Sequence, residues 1–516
     1  MDTFKMVAKT LQGLEQVLAQ ELVDLGAADV QQGRRVVTFR GDLAMMYKAN
    51  FCLRTALRVL KPINEFTARN ADDVYQAVRQ MNWEDYLAID TSFAVDAVVY
   101  SEEFRHSKFV AYRVKDAIVD YFREKCGSRP NISVSNPDIR LNIHINDIDC
   151  TLSLDSSGES LHKRGYRVAT VESPINEVLA AGMLLMTGWR GESDLVDPMC
   201  GSGTIAVEAA LIARNVWPGV FHTEKYAFEN WPDFNPDLLQ EIYNDDSNER
   251  PFAHKIIARD IDPAAVNAAT ANVRSAGVSD CVELSKRPFE DFQRPEQPAI
   301  MVMNPPYGER ITSPDLFGLY RTIGEKLKHQ FVGNEAWIIS YREEVFDKIG
   351  LKPSLKIPLF NGALECEYRK YQIFDGKFKE FRSEGGEIKT DDERRRMREK
   401  RELPRSFKGA GNFDSDRAGR REFTPRRGDE VENAPDIPEY LRLRHRSFLS
   451  MQRRREREAA ESRPRRAGDR KFDKRFERGD RKYGPHDNKS ANRRFDERGG
   501  KPRRHSSSPW AKKRED

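Results

Sequence analysis

Leu195-Val196-Asp197-Pro198-Met199-Cys200-Gly201-Ser202-Gly203-Thr204 joins a short apolar strand to Ile205–Ala213, whose spacing reads as a helix. Its two glycines let the backbone turn sharply and approach a ligand with no Cβ in the way. The helix that follows opens with unpaired N–H groups, a ready site for a carboxylate. Asp197, at the strand tip, can accept a hydrogen bond from an ammonium, directly or through water. A Gly-x-Gly turn alone fits a packing role equally well, so its neighbours must decide.

Downstream, Ile256-Ile257-Ala258-Arg259-Asp260-Ile261-Asp262-Pro263 offers a second strand with acids at its tip. In doubly wound folds that position grips a ribose through its hydroxyls. Asp260 is the first candidate and Asp262 the second, although Asp262 also suits the N-cap of a helix starting at Pro263. A third strand, Ile300-Met301-Val302-Met303, leads into Asn304-Pro305-Pro306-Tyr307-Gly308. Exocyclic amines on bases are poor nucleophiles because the nitrogen lone pair is delocalised into the ring. An Asn304 side-chain oxygen and a Pro305 carbonyl could accept both amine hydrogens and aim the lone pair. Tyr307 could stack on the base, and no strong general base is needed first. Alone, the tetrapeptide could be a rigid turn. Glycine turn, acidic strand tip and Asn-Pro-Pro-Tyr in this order argue otherwise.

From Glu172 to Phe374 strands alternate with helices, including Lys255–Ala258 and Ala336–Ser340, which predicts a parallel sheet covered on both faces. Leu355–Phe360 and Glu365–Phe374 flank Asn361-Gly362, a hairpin signal. A parallel sheet closed by an antiparallel hairpin is the class I methyltransferase architecture.

Upstream, Phe4–Ala8, Leu14–Leu25 and Val36–Phe39 read as strand, helix, strand, with Gly26 at the helix C-cap. Residues 43–154 are mixed: helices at Leu43–Phe51, Ala71–Met81 and Phe109–Lys125, strands at Ser92–Val99, Ser133–Ser135, Arg140–Ile145 and Thr151–Leu154.

The chain has 516 residues, 39% hydrophobic and 33% charged, against about 25% charged in an average globular chain. The excess is uneven. Residues 451–516 carry 24 Lys and Arg against 12 Asp and Glu, a net +12, which leaves −8 for residues 1–450 of a chain at +4. A basic appendage on a mildly acidic body points to an anionic partner, nucleic acid before membrane. Beyond Arg382 apolar periodicity stops, so a disordered basic tail is expected, with one charged helix at Tyr440–Glu461. Phe472, Phe476, Tyr483 and Phe495 lie among its basic residues and could stack on unpaired bases. No transmembrane stretch or signal peptide is expected. The six cysteines form no Cys-x-x-Cys pair, which argues against structural zinc and for a reducing cytoplasm.

Asp197–Thr204, Asp260–Pro263 and Asn304–Arg310 resemble the THUMP-domain class I RNA methyltransferases, most closely the RlmL type, the 23S ribosomal RNA guanine-N2 methyltransferases. Leu161–Arg167 before Ser173-Pro174, Asn215–Gly219 through Phe228–Trp231, Phe360–Glu365 and the opening Leu11–Glu15 are similar too. The resemblance implies S-adenosylmethionine (SAM) as cofactor. Asp197, Pro198, Gly201 and Gly203 would hold its methionyl end and Asp260 its ribose. Asn304, Pro305, Pro306 and Tyr307 would form the catalytic corner for a guanine. It also implies a Rossmann-like α/β fold behind an α+β RNA-binding region: residues 1–42 ferredoxin-like, 43–154 THUMP, 155–171 a basic junction, 172–382 catalytic and 383–516 the tail. Pro288 stands where such enzymes often carry an acid near the adenine, which leaves Asp291 for that place. Within the junction, His162, Lys163, Arg164, Tyr166 and Arg167 are read as RNA contacts; a solvated linker is the plainer alternative. No metal is expected. The rivals are a transfer RNA guanine, a DNA adenine or glutamine amide, and a catalytically silent RNA-binding assembly factor.

Overall fold

A computed structural model of the chain describes residues 2–297, 299–308 and 315–374. Glu309, Arg310, the Tyr440–Glu461 helix and the basic tail lie outside the described residues.

The N-terminal part begins as a βαββαβ unit: β1 (Phe4–Lys9), α1 (Glu15–Asp24), β2 (Ala28–Gly33), β3 (Val36–Gly41), α2 (Leu43–Cys52) and β4 (Arg58–Thr67). It continues with α3 (Ala71–Arg79), β5 (Ser92–Tyr100), α4 (Ser107–Cys126), β6 (Asn131–Ile132), β7 (Ile139–Asn146) and β8 (Asp149–Asp155). Both halves share one sheet, ordered β2-β3-β1-β4-β8-β7-β5-β6, because β4 pairs antiparallel with β8 from Leu60↔Asp155 to Thr67↔Asp149. β4 escapes sequence reading because Pro62 sits in it. The register shifts between Pro62 and Asn64, and such a bulge is where a strand tolerates a residue that cannot donate. β2 is polar and mostly exposed on the sheet edge, so it lacks apolar alternation. The strand expected at Ser133–Ser135 lies instead at Asn131–Ile132.

The second sheet comprises β9 (Asp194–Asp197), β10 (Ile256–Asp260), β11 (Val282–Lys286), β12 (Ala299–Met303), β13 (Glu335–Ser340), β14 (Leu355–Asn361) and β15 (Leu364–Gln372). Its order is β11-β10-β9-β12-β13-β15-β14, parallel except for β15, which runs antiparallel to both neighbours. Between the strands run α5 (Glu177–Thr187, before β9), α6 (Thr204–Arg214), α7 (Pro236–Asn244), α8 (Pro263–Ser275), α9 (Leu316–Gln330) and α10 (Glu343–Ile349). Strands covered on both faces need continuous apolar sequence, and all five residues of β12 are buried. The strand order reverses at β9, which pairs with β10 on one side and β12 on the other. A crevice at the carboxyl ends of these strands follows from that reversal.

The two parts are keyed together. Leu14, fully buried, belongs to the core around the second sheet, and a Cβ on Gly182 of α5 would lie 2.5 Å from its Cδ2. Conversely, Tyr226, Phe228, Trp231, Leu239, Ile242 and Tyr243, which follow α6 in the chain, pack into the N-terminal core. Phe228 stacks on Tyr47 of α2 with ring centroids 4.2 Å apart.

Candidate active site

Asp197 ends β9 with no exposed surface, and neither carboxylate oxygen is paired with a side chain. Burial, then the neighbouring Asp260 charge, raises its pKa well above the usual carboxylate value, with the Met199 amide opposing weakly. Such an orphaned acid calls for a cationic or donor partner. After it the chain turns, and Cys200 N–H donates to Arg259 O (2.8 Å), fastening the turn to β10.

The two glycines do different work. Gly201 (φ +54°) faces a cavity, and a Cβ there would meet nothing nearer than Val171 Cγ2 at 3.8 Å. Gly203 (φ +79°) precedes α6 as its cap, and a Cβ would sit 3.0 Å from Ala269 Cβ of α8. Its smoothness serves helix packing and not ligand approach, correcting one reason given for the motif.

At the tip of β10, Asp260 accepts from Gly201 N–H (2.8 Å) and Asp262 N–H (3.0 Å), so it ties the glycine turn to its own loop. Asp262 caps α8 by accepting from Ala264 N–H at 2.9 Å. After β12, Asn304 and Tyr307 are half-buried and Pro305 is buried. Tyr307 Oη donates to Asn304 Oδ1, and its ring meets Tyr341 edge-on at 5.8 Å.

These pieces open into one cavity of about 1530 Å³, whose walls include Pro198, Gly201, Asp260, Asn304, Pro305, Pro306 and Tyr307. Asp197 and Gly203 stand behind that wall, not in it. Asp291 is also absent from the lining; Phe289 and Glu290 of the same turn are there instead. A residue order that puts Phe289 inward turns Asp291 out to solvent.

The family profile described as an RMKL-like methyltransferase domain matches residues 164–370, a THUMP domain matches 68–155, and an RlmL ferredoxin-like domain matches 5–60. A Synechocystis protein named as an RNA methyltransferase, slr0064, is 36% identical over 370 residues, covering 71% of this chain and 96% of its own length. The chain belongs to the RMKL-like methyltransferase family. The ribosomal RNA large subunit methyltransferase K/L of Syntrophotalea carbinolica is 40% identical over 389 residues, covering 72% of this chain and 54% of that protein. The chain thus spans about half the length of the K/L relatives it matches. The crystal structure of SMU.472, named as a methyltransferase and complexed with S-adenosylhomocysteine, superposes with a TM-score of 0.66 at 30% identity, covering 73% of this chain and all of that one.

Family membership does not rescue the basic junction. Arg164 and Tyr166 are 2% and 1% exposed. Arg164 Nε pairs with Glu208 Oε1 of α6 at 3.5 Å, and Tyr166 Oη donates to the same oxygen at 2.9 Å. Arg164 also donates to Arg54 O in the N-terminal part. Neither can reach a phosphate, because Glu208 and the main chain have taken their polar atoms. Arg167 is held under the glycine turn, where it donates to Glu177 Oε1 (2.6 Å), Ser202 Oγ (3.1 Å), Thr204 Oγ1 (2.9 Å) and Ile175 O (3.1 Å). It also lines the cavity, beside the start of α6. Burial lowers the pKa of His162, whose ring contacts Ser160 Oγ at 2.8 Å on the cavity wall. Lys163 remains exposed at the cavity rim, paired with Glu159.

Sequence reading assigned no role to a further part of the wall. Asp315, Leu319, Arg321 and Thr322 of the α9 region and Asn361–Leu364 of the hairpin also line the cavity. The Asn361-Gly362 hairpin signal was visible, but nothing local says that its tip faces a pocket.

Proposed function

We propose that the protein transfers the methyl group of SAM to the exocyclic N2 of a guanine in 23S ribosomal RNA, in the cytoplasm. The observation that carries this reading is the shared cavity, with the glycine turn and Asp260 on one side and the Asn304-Pro305 corner on the other. The residues fit the donor: Asp197 is a buried acid that no side chain pairs with, and Gly201 leaves its side of the turn clear. When bound, SAM supplies an electrophilic methyl on a sulfonium centre.

Asp197, Pro198, Gly201 and Gly203 would shape the methionyl end, the last through packing. Arg167 and the start of α6 would face the carboxylate, and Asp260 the ribose. Phe289 and Glu290 take the adenine end in place of Asp291. Asn304 Oδ1 and the Pro305 carbonyl would accept the two N2 hydrogens and orient the lone pair. Tyr307 would lie against the base, where stacking is worth about 1–3 kcal/mol. The THUMP region would grip structured RNA, with Lys163 at the rim tracking a phosphate.

Incubation with labelled SAM and separate ribosomal RNA, transfer RNA and DNA, followed by nucleoside mapping, tests this. Label is expected as N2-methylguanine in large-subunit RNA. Label confined to transfer RNA would move the substrate, and methylated adenine in DNA would sink the guanine reading. No label anywhere would leave an RNA-binding factor without catalysis.

A further inference from the structure

Three side chains from two stretches of the chain converge at the acceptor corner. Tyr307 Oη donates to Asn304 Oδ1. Asn361, the last residue of β14, lines the cavity beside that hydroxyl, with its carboxamide close enough to bear on the charge of the phenol. The Tyr307 ring packs into the catalytic core against Tyr341.

A carboxamide has an acceptor end and a donor end of nearly equal shape, and only one serves here. If Asn304 turned its NH2 toward an amine, donor would face donor. A phenol whose proton is fixed toward Asn304 excludes that flip, because an amide nitrogen accepts no hydrogen bond. Burial raises the Tyr307 pKa well above the ordinary phenol value, so the proton stays in place at neutral pH. The carbonyl oxygen has two lone pairs, so one bond from Tyr307 leaves the other for the substrate. The Asn361 carboxamide in turn can donate through its NH2 to Tyr307 Oη, which gives the chain a direction: Asn361 to Tyr307 to Asn304.

We propose that the Tyr307 hydroxyl, backed by Asn361, is a positioning group that locks the Asn304 carboxamide with its oxygen toward the methyl-accepting amine. This rests on the function proposed above, and it assigns the hydroxyl a duty apart from stacking by the ring.

Tyr307→Phe keeps the ring and deletes only the hydroxyl. Measured against whichever nucleic acid the wild-type protein methylates, it should lower kcat about ten- to hundredfold. KM for the nucleic acid should stay within about twofold, and SAM affinity should not change, since stacking and donor contacts survive. Asn361→Ala should lower kcat less. The double variant Tyr307→Phe with Asn361→Ala should be no slower than Tyr307→Phe alone, the mark of one shared chain of bonds. Wild-type kcat in Tyr307→Phe would overturn the inference in favour of stacking alone, and a faster variant would show that the hydroxyl obstructs Asn304. Full additivity would separate Asn361 from the chain. The wild-type product identifies the substrate, whereas the variant ratio reads the hydroxyl, so either reading can fail without the other. A wild-type protein that methylates nothing overturns both.

Discussion

Asn304–Tyr307 and His162–Arg167 are two short polar stretches of similar promise in the sequence, and the fold treats them oppositely. The first emerges from a buried strand into open space, so its polar atoms face a cavity. The second crosses between two cores, so Arg164 and Tyr166 are spent on Glu208. Charge in a sequence marks where a partner is needed, not which partner. A cation between two apolar bodies finds an internal acid, because an unpaired buried charge costs too much.

This contrast can be broken at several points. Asn304→Ala should produce the largest effect: a fall in kcat of about 10²–10³-fold with SAM affinity nearly intact. Single-turnover rates and calorimetric SAM binding separate the two, and turnover near wild type would remove Asn304 from the corner. Next, Arg164→Ala should cost about 3–5 kcal/mol of stability by stranding Glu208, while the salt dependence of RNA binding stays as it was. An unchanged denaturation midpoint with a shallower salt slope would restore the RNA-contact reading.

Arg167→Ala should weaken SAM binding about tenfold by loosening the start of α6 and removing a charge from the cavity. Unaltered SAM affinity would leave Arg167 a structural clasp. For Asp197, the folded-state pKa lies above the unfolded one, so the native state holds more protons and stability falls as pH rises from the ordinary carboxylate value (~4) through the raised one. Asp197→Asn should flatten that slope, and in the absence of SAM it should be more stable than wild type at neutral pH and bind SAM less well. Thermal unfolding from pH 5 to 8 reads the slope, and parallel curves for the two proteins would contradict it. The smallest effect belongs to Lys163→Ala: RNA affinity lower by severalfold, with the salt slope reduced by about one charge.

Much of the catalytic half was legible because its strands are buried on both faces and its motifs sit at strand tips. Asp260 and Asn304 could be placed by counting along such strands, whereas the hairpin was legible as a turn but not as part of the pocket wall. Position within a turn was less legible. Phe289 and Glu290 rather than Asp291 reach the cavity, a difference of one or two residues that only the conformation of the turn decides. The N-terminal sheet hid more, since β4 carries a proline at a bulge and β2 is mostly exposed, with Val30 its one half-buried residue. Arg164 was misread because its acid lies on α6, 44 residues away in the chain, where no local pattern pairs them.

The exchange of side chains between the two cores also constrains how the polypeptide matures. Tyr47 and Phe51 on α2 wait for Phe228, Gly219 and Tyr243, which leave the synthesis tunnel almost two hundred residues later. Until then the early sheet presents bare aromatic rings to the cell, a sticky intermediate of the kind that invites chaperones. A protein cut after residue 160 would keep that face uncovered for good, so the N-terminal half should aggregate when made alone and dissolve when residues 161–374 are supplied with it.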